Sequence, residues 1–339
     1  MMHAERRSGT KQRLLLAGDI GGTKTRLGIF PVSSGTPIPI KEATYASREH
    51  DSLENIIDDF LDHSVSIDAA CFGVAGPVVK GVADATNLPW QIRTARLKKK
   101  IPAQRVELIN DLVANAYGLR ALAPRDLTTL SIGKRAAGNA VLLSAGTGLG
   151  AAILFWNGKE HVPLPSEGGH VEFGPKSRLE LDLLEYLFER FGHVSYERVL
   201  SGAGLYNIYQ FLRDTGRFGR EPSWLTEQLR TGDPPAVIAG TARRGNNRLC
   251  SKALDLLASI YGAVAGNLAL QVMAVSGVYL GGGIAPKIVW KLKDGGFMNA
   301  FRSKGRLSGI VERIPVRVIM NDRAALFGAA VRAKELLER

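Results

Sequence analysis

The chain has 339 residues and a formal net charge of +12, from 44 Lys and Arg against 32 Asp and Glu. Hydrophobic residues make up 45% and charged residues 22%, which indicates a folded globular protein and excludes a disordered or fibrous one. Two cysteines, Cys71 and Cys250, are too few for a disulfide framework, so the composition favours a reducing cytoplasmic location over the secreted disulfide-rich class.

The length predicts two domains of roughly 150 residues each, with a cleft between them. Residues 1–12 are expected to be disordered. The apolar stretch Leu14–Leu16 that follows the first basic residues is too short for the core of a signal peptide, so no export is expected.

The first predicted element is a β-hairpin around "GDIGGTKT", residues 18–25. This stretch differs from the P-loop pattern G-x-x-x-x-G-K-[ST] at Thr23, where the pattern requires its second glycine. A P-loop also continues into a helix, whereas "TKTRLGIF" alternates between two faces until Pro31, which is typical of a strand.

The tip of this hairpin is predicted to bind phosphate. Gly21 and Gly22 allow backbone N–H groups to approach an anion, and Thr23 adds a hydroxyl donor. Because a carboxylate repels phosphate unless a cation intervenes, Asp19 is predicted to hold Mg²⁺, directly or through water. The alternative is an ordinary Gly-Gly hairpin with a surface aspartate.

Further along, "RVELINDLVANAYGLRAL" predicts a strand that ends at Ile109 and a helix that begins near Asn110 and Asp111. Two interpretations of these polar residues stay open from the pattern alone. Asn110 can serve as the N-cap while Asp111 complements the helix dipole, or both can face a substrate. The preceding basic run "RLKKKIPAQR", residues 96–105, has no interleaved aromatic residue and is interpreted as solvated surface, so no nucleic-acid partner is predicted.

A second hairpin is predicted from "VLLSAGTGLGAAILFWNG", residues 141–158. Gly146, Gly148 and Ala151 also satisfy the dinucleotide fingerprint G-x-G-x-x-A. That fingerprint requires a helix after the glycines, and "AAILFW" before Asn-Gly is too short for one. The stretch is therefore interpreted as another phosphate-binding hairpin.

In "PSEGGHVEFGP", Glu167 and His170 are three residues apart around two glycines, so a loop can turn both side chains inward. A carboxylate and an imidazole together suit the hydroxyls of a polyol, with zinc as the competing ligand. Glu172 is interpreted as a structural acid.

The uncharged stretch 256–286 predicts a buried helix followed by a buried strand rather than a membrane span. Gly262, Gly266 and Ala269 give the helix a face of small residues for close packing. The strand ends in three glycines, 281–283, a turn that contacts ligands in many α/β folds.

Nine motifs, taken in order, resemble bacterial ATP-dependent glucokinases of the hexokinase-related type. They cover residues 14–330 and read "LAGDIGGTKTRLGIF", "FGVAGPV", "TNLPW", "LINDLVANAYGL", "SAGTGLGAAIL", "PSEGGHVEFGP", "SYERVLSGAGLYNIY", "LGGGIAP" and "NDRAALFGAA". The resemblance implies an α/β, two-domain actin-like ATPase (ribonuclease H-like) fold with an inter-domain cleft. It divides the chain into a small domain, 13–122 plus 323–339, and a large domain, 123–322.

The resemblance implies transfer of the γ-phosphoryl group of Mg-ATP to the 6-hydroxyl of glucose, giving glucose 6-phosphate and ADP. Asp111 is implied as the catalytic base, and the implied sugar ligands are Asn87, Asn110, Asp111, Glu167, His170 and Glu197. On the pattern alone, Glu197 fits better as a helix-surface glutamate with Ser195 as N-cap. The implied nucleotide ligands are Asp19, Gly21, Gly22, Thr23, Lys24, Gly146, Thr147, Gly148, Gly282 and Gly283.

Lys24 departs from the family, in which asparagine is usual at this position, and it can add a phosphate contact. The related repressor, open-reading-frame and kinase (ROK) proteins hold zinc with such a histidine and three cysteines, a cluster that this sequence lacks. The resemblance further suggests a homodimer. Alternatives are a kinase for another hexose, an amino sugar or a polyphosphate donor, and a sugar-sensing regulator; such regulators carry a DNA-binding domain, and only 18 residues precede Asp19.

Overall fold

The computed structural model describes residues 12–33, 35–62, 65–85, 87–134 and 136–338. The N-terminal stretch for which disorder was predicted lies, apart from Gln12, outside the described residues. The chain divides into two compact units, one of residues 1–123 with 323–339 and the other of residues 124–322.

The first unit is built on a five-stranded sheet. Its elements up to residue 118 are β1 (Leu14–Ile20), β2 (Lys24–Pro31), β3 (Lys41–Ala46), α1 (Leu53–Phe60), β4 (Ala69–Val74), β5 (Val78–Val79), β6 (Val82–Asp84), β7 (Gln91–Arg93), α2 (Thr94–Lys100), β8 (Arg105–Asn110) and α3 (Asp111–Gly118). The strand order is β3-β2-β1-β4-β8, and β5-β6-β7 form a small separate sheet. β1 is antiparallel to β2 but parallel to β4, and β4 is parallel to β8. The carboxyl ends of β1, β4 and β8 therefore lie at one edge of the sheet.

The second unit contains a six-stranded sheet and most of the helices. Its elements are β9 (Leu127–Ser131), β10 (Ala140–Ala145), β11 (Leu149–Trp156), β12 (His161–Ser166), α4 (Arg178–Phe191), α5 (Gly202–Asp214), α6 (Ser223–Thr231), α7 (Pro234–Arg244), α8 (Arg248–Gln271), β13 (Gly277–Gly281), α9 (Ile284–Lys287), α10 (Val289–Leu292), α11 (Gly296–Arg302), α12 (Ser308–Val311) and β14 (Val316–Ile319). The strand order is β12-β11-β10-β13-β14-β9. Both predicted hairpins are confirmed, as β1–β2 and β10–β11. A strand and not a helix follows Gly148, so the dinucleotide fingerprint is coincidental.

The chain returns to the first unit through α13 (Ala324–Leu337), which packs on α3. Two glycines allow α13 and α3 to pack closely against each other. A Cβ atom on Gly118 would lie 1.9 Å from the carbonyl oxygen of Ala324, and one on Gly328 would lie 1.7 Å from that of Ala114. Because no side chain fits at these distances, the two backbones touch, and α13 holds α3 against the sheet.

The uncharged stretch forms α8 and β13, as predicted. α8 is long and apolar enough to cross a membrane, but 72% of its apolar window is buried within the protein, which is typical of a core helix. Its small-residue face packs on α11, where Cβ atoms on Gly262 and Gly266 would lie 2.0 and 2.5 Å from carbonyl oxygens of Phe297 and Phe301. The close packing predicted from this spacing is confirmed.

Candidate active site

The tip of the first hairpin is held in shape by a buried serine. Ser47 donates its hydroxyl to the carbonyl of Gly21 (2.8 Å) and its N–H to the carbonyl of Thr23 (3.0 Å). Its Oγ also lies 3.0 Å from Oγ1 of Thr25, and both side chains are fully buried. The tip is therefore fixed before any ligand arrives, while Thr23 and Lys24 remain exposed.

Sequence reasoning did not identify Ser47. A signal for it exists in Thr25, which lies on the inward face of β2. A buried hydroxyl needs a hydrogen-bond partner, so this position predicts a polar residue opposite, although not which one.

Asp19 and Asp111 lie at the same edge of the first unit's sheet. Asp19, near the end of β1, is level with Gly73 on β4, and Gly73 is level with Ile109 on β8. Strands in a sheet are about 4.8 Å apart, so β1 and β8 are separated by roughly 10 Å. Asp111 follows β8 directly as the first residue of α3, and both carboxylates are half-buried. Asp19, the predicted metal ligand, and Asp111, the predicted base, therefore lie at the same edge of this sheet.

Asn110 caps α3, so the prediction that this residue is the N-cap of the helix is confirmed. Its Oδ1 accepts the N–H groups of Leu112 (2.9 Å) and Val113 (3.4 Å), and its Nδ2 donates to the carbonyl of Gly76 (3.1 Å). The amide keeps one N–H for a further partner, since it carries two. Asn87, by contrast, lies exposed in the loop between β6 and β7 with a left-handed φ of 65°.

In the second unit, two glycine-rich segments converge. Gly282 has a φ of +78°, and a Cβ atom there would lie 2.3 Å from the carbonyl oxygen of Ala145, so only glycine fits this approach. The tip of the β10–β11 hairpin closes through an N–H···O bond from Gly146 to Gly148 (2.8 Å). A Cβ atom on Gly146 would lie 3.8 Å from the nitrogen of Gly283. The two glycine clusters that the sequence assigned to the nucleotide are therefore neighbours.

The N-terminus of α5 also meets this tip. The N–H of Gly202 donates to the carbonyl of Gly146 (2.9 Å), and Ser201 caps the helix by accepting the N–H of Gly204 (3.0 Å). A helix N-terminus beside a glycine tip favours a phosphate group. Ser201 is not among the residues predicted from the sequence, although a serine before "GAG" is an N-cap signal.

Glu197 is not a helix-surface glutamate, and the interpretation based on the pattern alone is wrong. It lies half-buried in a short 3₁₀ turn, Tyr196–Arg198, which Ser195 precedes without a side-chain cap. Its Oε2 accepts the N–H of Leu149 (2.8 Å), and a Cβ atom on Gly148 would lie 2.5 Å from the same oxygen. The carboxylate supports the hairpin tip and retains acceptor capacity for another partner.

The loop that carries Glu167 and His170 packs on the same residue, Leu149. A Cβ atom on Gly169 would lie 1.9 Å from the carbonyl oxygen of Leu149, and the carbonyl of Gly169 accepts the N–H of Glu197 (3.0 Å). The loop closes with a bond from the N–H of His170 to the carbonyl of Glu167 (3.0 Å), which leaves both side chains exposed. We call Glu167, Gly169, His170 and Glu197, with the tip Gly146–Leu149, the Leu149 cluster. It brings three predicted sugar ligands to the predicted phosphate tip.

Among the described residues, no group of three or more His, Cys, Asp or Glu side chains is arranged to hold a metal ion. The donor that the sequence assigns to a metal is the single carboxylate of Asp19. One carboxylate fits Mg²⁺, which keeps several waters and takes other ligands from substrate phosphates.

The chain matches the family model described as Glucokinase over residues 16–336. The glucokinase of Trichormus variabilis is 40% identical over 341 residues, with 95% of this chain and 99% of that protein covered. A crystal structure of a glucokinase from an Antarctic psychrotroph has a TM-score of 0.83 and 28% identity, with 95% of this chain and 99% of that chain covered.

A ROK family glucokinase from Streptomyces griseus, solved in complex with glucose and AMPPNP, has a TM-score of 0.64 and 21% identity. It covers 95% of this chain and 99% of its own, and at this identity the similarity concerns the fold alone. The two-unit α/β architecture is the actin-like ATPase fold that the sequence motifs implied. The family model and the Trichormus relative show that this chain belongs to the glucokinase family.

Proposed function

We propose that this chain transfers the γ-phosphoryl group of Mg-ATP to the 6-hydroxyl of glucose, giving glucose 6-phosphate and ADP. The observation that carries the proposal is the Leu149 cluster, in which the loop with Glu167 and His170, the carboxylate of Glu197 and the glycine tip share contacts with one residue. A kinase must hold acceptor hydroxyls and phosphates side by side, and this cluster joins the residue types suited to each.

On the nucleotide side, most of the proposed hydrogen-bond donors to the phosphates are backbone N–H groups. The proposed phosphate ligands are Gly21, Gly22 and Thr23 of the first hairpin and Gly146, Thr147 and Gly148 of the second, and Lys24 would add a positive charge. Gly282 and Gly283 allow the adenosine to approach the turn after β13. Asp19 would hold Mg²⁺, which when bound neutralises phosphate charge.

On the sugar side, Asp111 accepts the proton of the 6-hydroxyl and orients its oxygen toward the phosphorus atom. Orientation contributes more than basicity, because the hydroxyl proton leaves late in a loose transition state. Asn87, Asn110, Glu167, His170 and Glu197 bind the other hydroxyls. A sugar that lacks one of these hydroxyls leaves a polar group unpaired, which is the basis for selectivity.

The test is phosphate transfer measured directly as the sugar phosphate formed, by anion-exchange chromatography of quenched reactions, with glucose, other hexoses and amino sugars as acceptors and with ATP or polyphosphate as donor. Glucose with ATP should give the highest kcat/KM, and removal of Mg²⁺ should abolish turnover. A higher kcat/KM with another sugar or with polyphosphate would overturn the substrate assignment.

Asp111→Ala should lower kcat on glucose by roughly 10²- to 10⁴-fold, because it removes the general base. Glu185→Ala, which removes an exposed carboxylate on α4, is the matched control and should leave kcat unchanged. An Asp111→Ala protein that keeps more than a few per cent of kcat would refute the base assignment.

The homodimer and the cytoplasmic location remain predictions. Light scattering of the purified chain and fractionation of the host cell would test them.

A further inference from the structure

A cavity of about 660 Å³ lies in the second unit, and none of the residues assigned to glucose or ATP lines it. Its walls come from the segment that follows the sugar loop, from α4, from α8 and from the end of α11. The lining includes three lysines, Lys176, Lys252 and Lys304, together with the hydroxyls of Ser177, Ser259 and Ser303. Its volume is within the range of small-molecule sites in proteins.

The lysines of this cavity have no carboxylate partner within ion-pair distance among the residues that the structure describes. Lys304 donates to the carbonyl of Ala263 (3.0 Å) and to Oδ1 of Asn267 (2.8 Å), and Lys176 donates to Oγ of Ser259 (2.9 Å). Since an ammonium group has three N–H donors, each lysine retains donors for a ligand.

The lining also contains two acids, against three lysines. Asp255 is paired with Lys291 of α10. Glu180 is 2% exposed, and burial raises the pKa of its carboxyl, while Oε2 accepts the backbone N–H of Lys176 (2.9 Å). Asp255 is thus paired outside the lining, while the Lys176 charge acts on the Glu180 carboxyl and lowers its pKa against the larger effect of burial.

The fold builds the position of Lys304. A Cβ atom on Gly266 would lie 2.6 Å from Cε of Lys304, so this glycine gives the lysine stem its path across α8. Burial, and then repulsion from Lys176, lowers the pKa of Lys304. Like charges held together in a half-buried space repel one another until an anion binds between them.

We propose that this cavity binds a small phosphate ester of a polyol. A phosphate monoester carries about −1.5 to −2 charges at pH 7 and three acceptor oxygens, which match ammonium groups and serine hydroxyls. The amide of Asn267 and the remaining serine hydroxyls suit the hydroxyls of the polyol. This inference does not depend on the proposed kinase activity, because none of its residues belongs to that site.

The experiment is calorimetric titration of the full chain with glycerol 3-phosphate, with glucose and AMPPNP at saturation so that the candidate active site is filled. One site per chain is expected, with affinity that falls as salt rises. Glycerol alone should not bind, and inorganic phosphate should bind more weakly than the ester. Equal affinity for inorganic phosphate and glycerol 3-phosphate would refute the assignment of a phosphate ester as the ligand. The absence of binding heat from both compounds would refute the assignment of the cavity as a binding site.

Lys304→Gln and Lys176→Gln should each weaken binding at least tenfold, because these two ammonium groups lie at neighbouring positions of α8. Lys176 is exposed and its ammonium makes one exposed hydrogen bond, to Ser259, so its replacement should leave folding intact. Lys293→Gln, which removes an exposed lysine just after α10, is the matched control and should change affinity less than twofold. Equal weakening in all three variants, or none in the first two, would refute the assignment of the cavity.

Discussion

Gly73, a buried residue near the end of β4, leaves the space into which α3 packs. A Cβ atom there would lie 2.6 Å from Cβ of Ala114 and 3.6 Å from Cα of Asp111. Carbon atoms pack at about 3.5–4.0 Å, so the start of α3 must move by about 1 Å in a Gly73→Ala protein. Overpacking of this kind costs roughly 1–3 kcal/mol of folding stability. A displacement of about 1 Å at a catalytic group can reduce turnover roughly 100-fold.

We therefore expect Gly73→Ala to stay folded, to unfold at lower denaturant concentration, and to lose about two orders of magnitude in kcat on glucose. The assay combines urea unfolding with steady-state kinetics. Ala114→Gly removes the clashing methyl group, so the double variant should regain most of the lost kcat, and Ala114→Gly alone is the control. A stable Gly73→Ala protein with unchanged kcat, or a double variant without recovery, would refute the link between this packing and the position of Asp111.

Gly262→Ala should lower the free energy of unfolding, because its Cβ would lie 2.0 Å from a backbone oxygen of α11. The cost of this overpacking should exceed the ~1 kcal/mol that alanine gains over glycine in helix propensity. Gly309→Ala, with no atom within 4 Å of its Cβ, is the control in urea unfolding, and equal effects would contradict the packing argument. Burial raises the pKa of Glu180 above its ordinary 4.5, so folding disfavours the ionised form, and wild-type stability should fall relative to Glu180→Gln as pH rises above that value. Parallel stability curves between pH 4 and 8 would argue against it. Burial also raises the pKa of the Cys71 thiol, and it raises that of Cys250 to about 12. Because the thiolate is the reactive form, Ellman's reagent at pH 8 should modify both cysteines only after unfolding. Rapid reaction of the native protein would contradict this expectation.

The two hairpins were predictable because their signal is local. Alternating residues on both sides of a glycine pair determine strand, turn and strand within about fifteen residues, and the absence of a helical continuation excludes the P-loop and the dinucleotide fold. The capping role of Asn110 is local in the same sense, since its oxygen binds N–H groups two and three residues ahead. The placement of Asp19 and Asp111 at one edge of the sheet follows only once the parallel pairing of β1 with β4 and of β4 with β8 is known.

Glu197 shows what such patterns omit. Its neighbours in sequence predict a glutamate on a helix surface, because nothing within ten residues indicates that Leu149, 48 positions away, supplies the N–H that its carboxylate accepts. Ser47 was missed for the same reason, since its partners lie in the β1–β2 hairpin and not beside it in sequence. In both cases a side chain that is distant in sequence hydrogen-bonds a glycine tip, where the backbone is conformationally freer than elsewhere. The residues that support these two glycine tips are therefore identified only when the sheet and its loops are assembled.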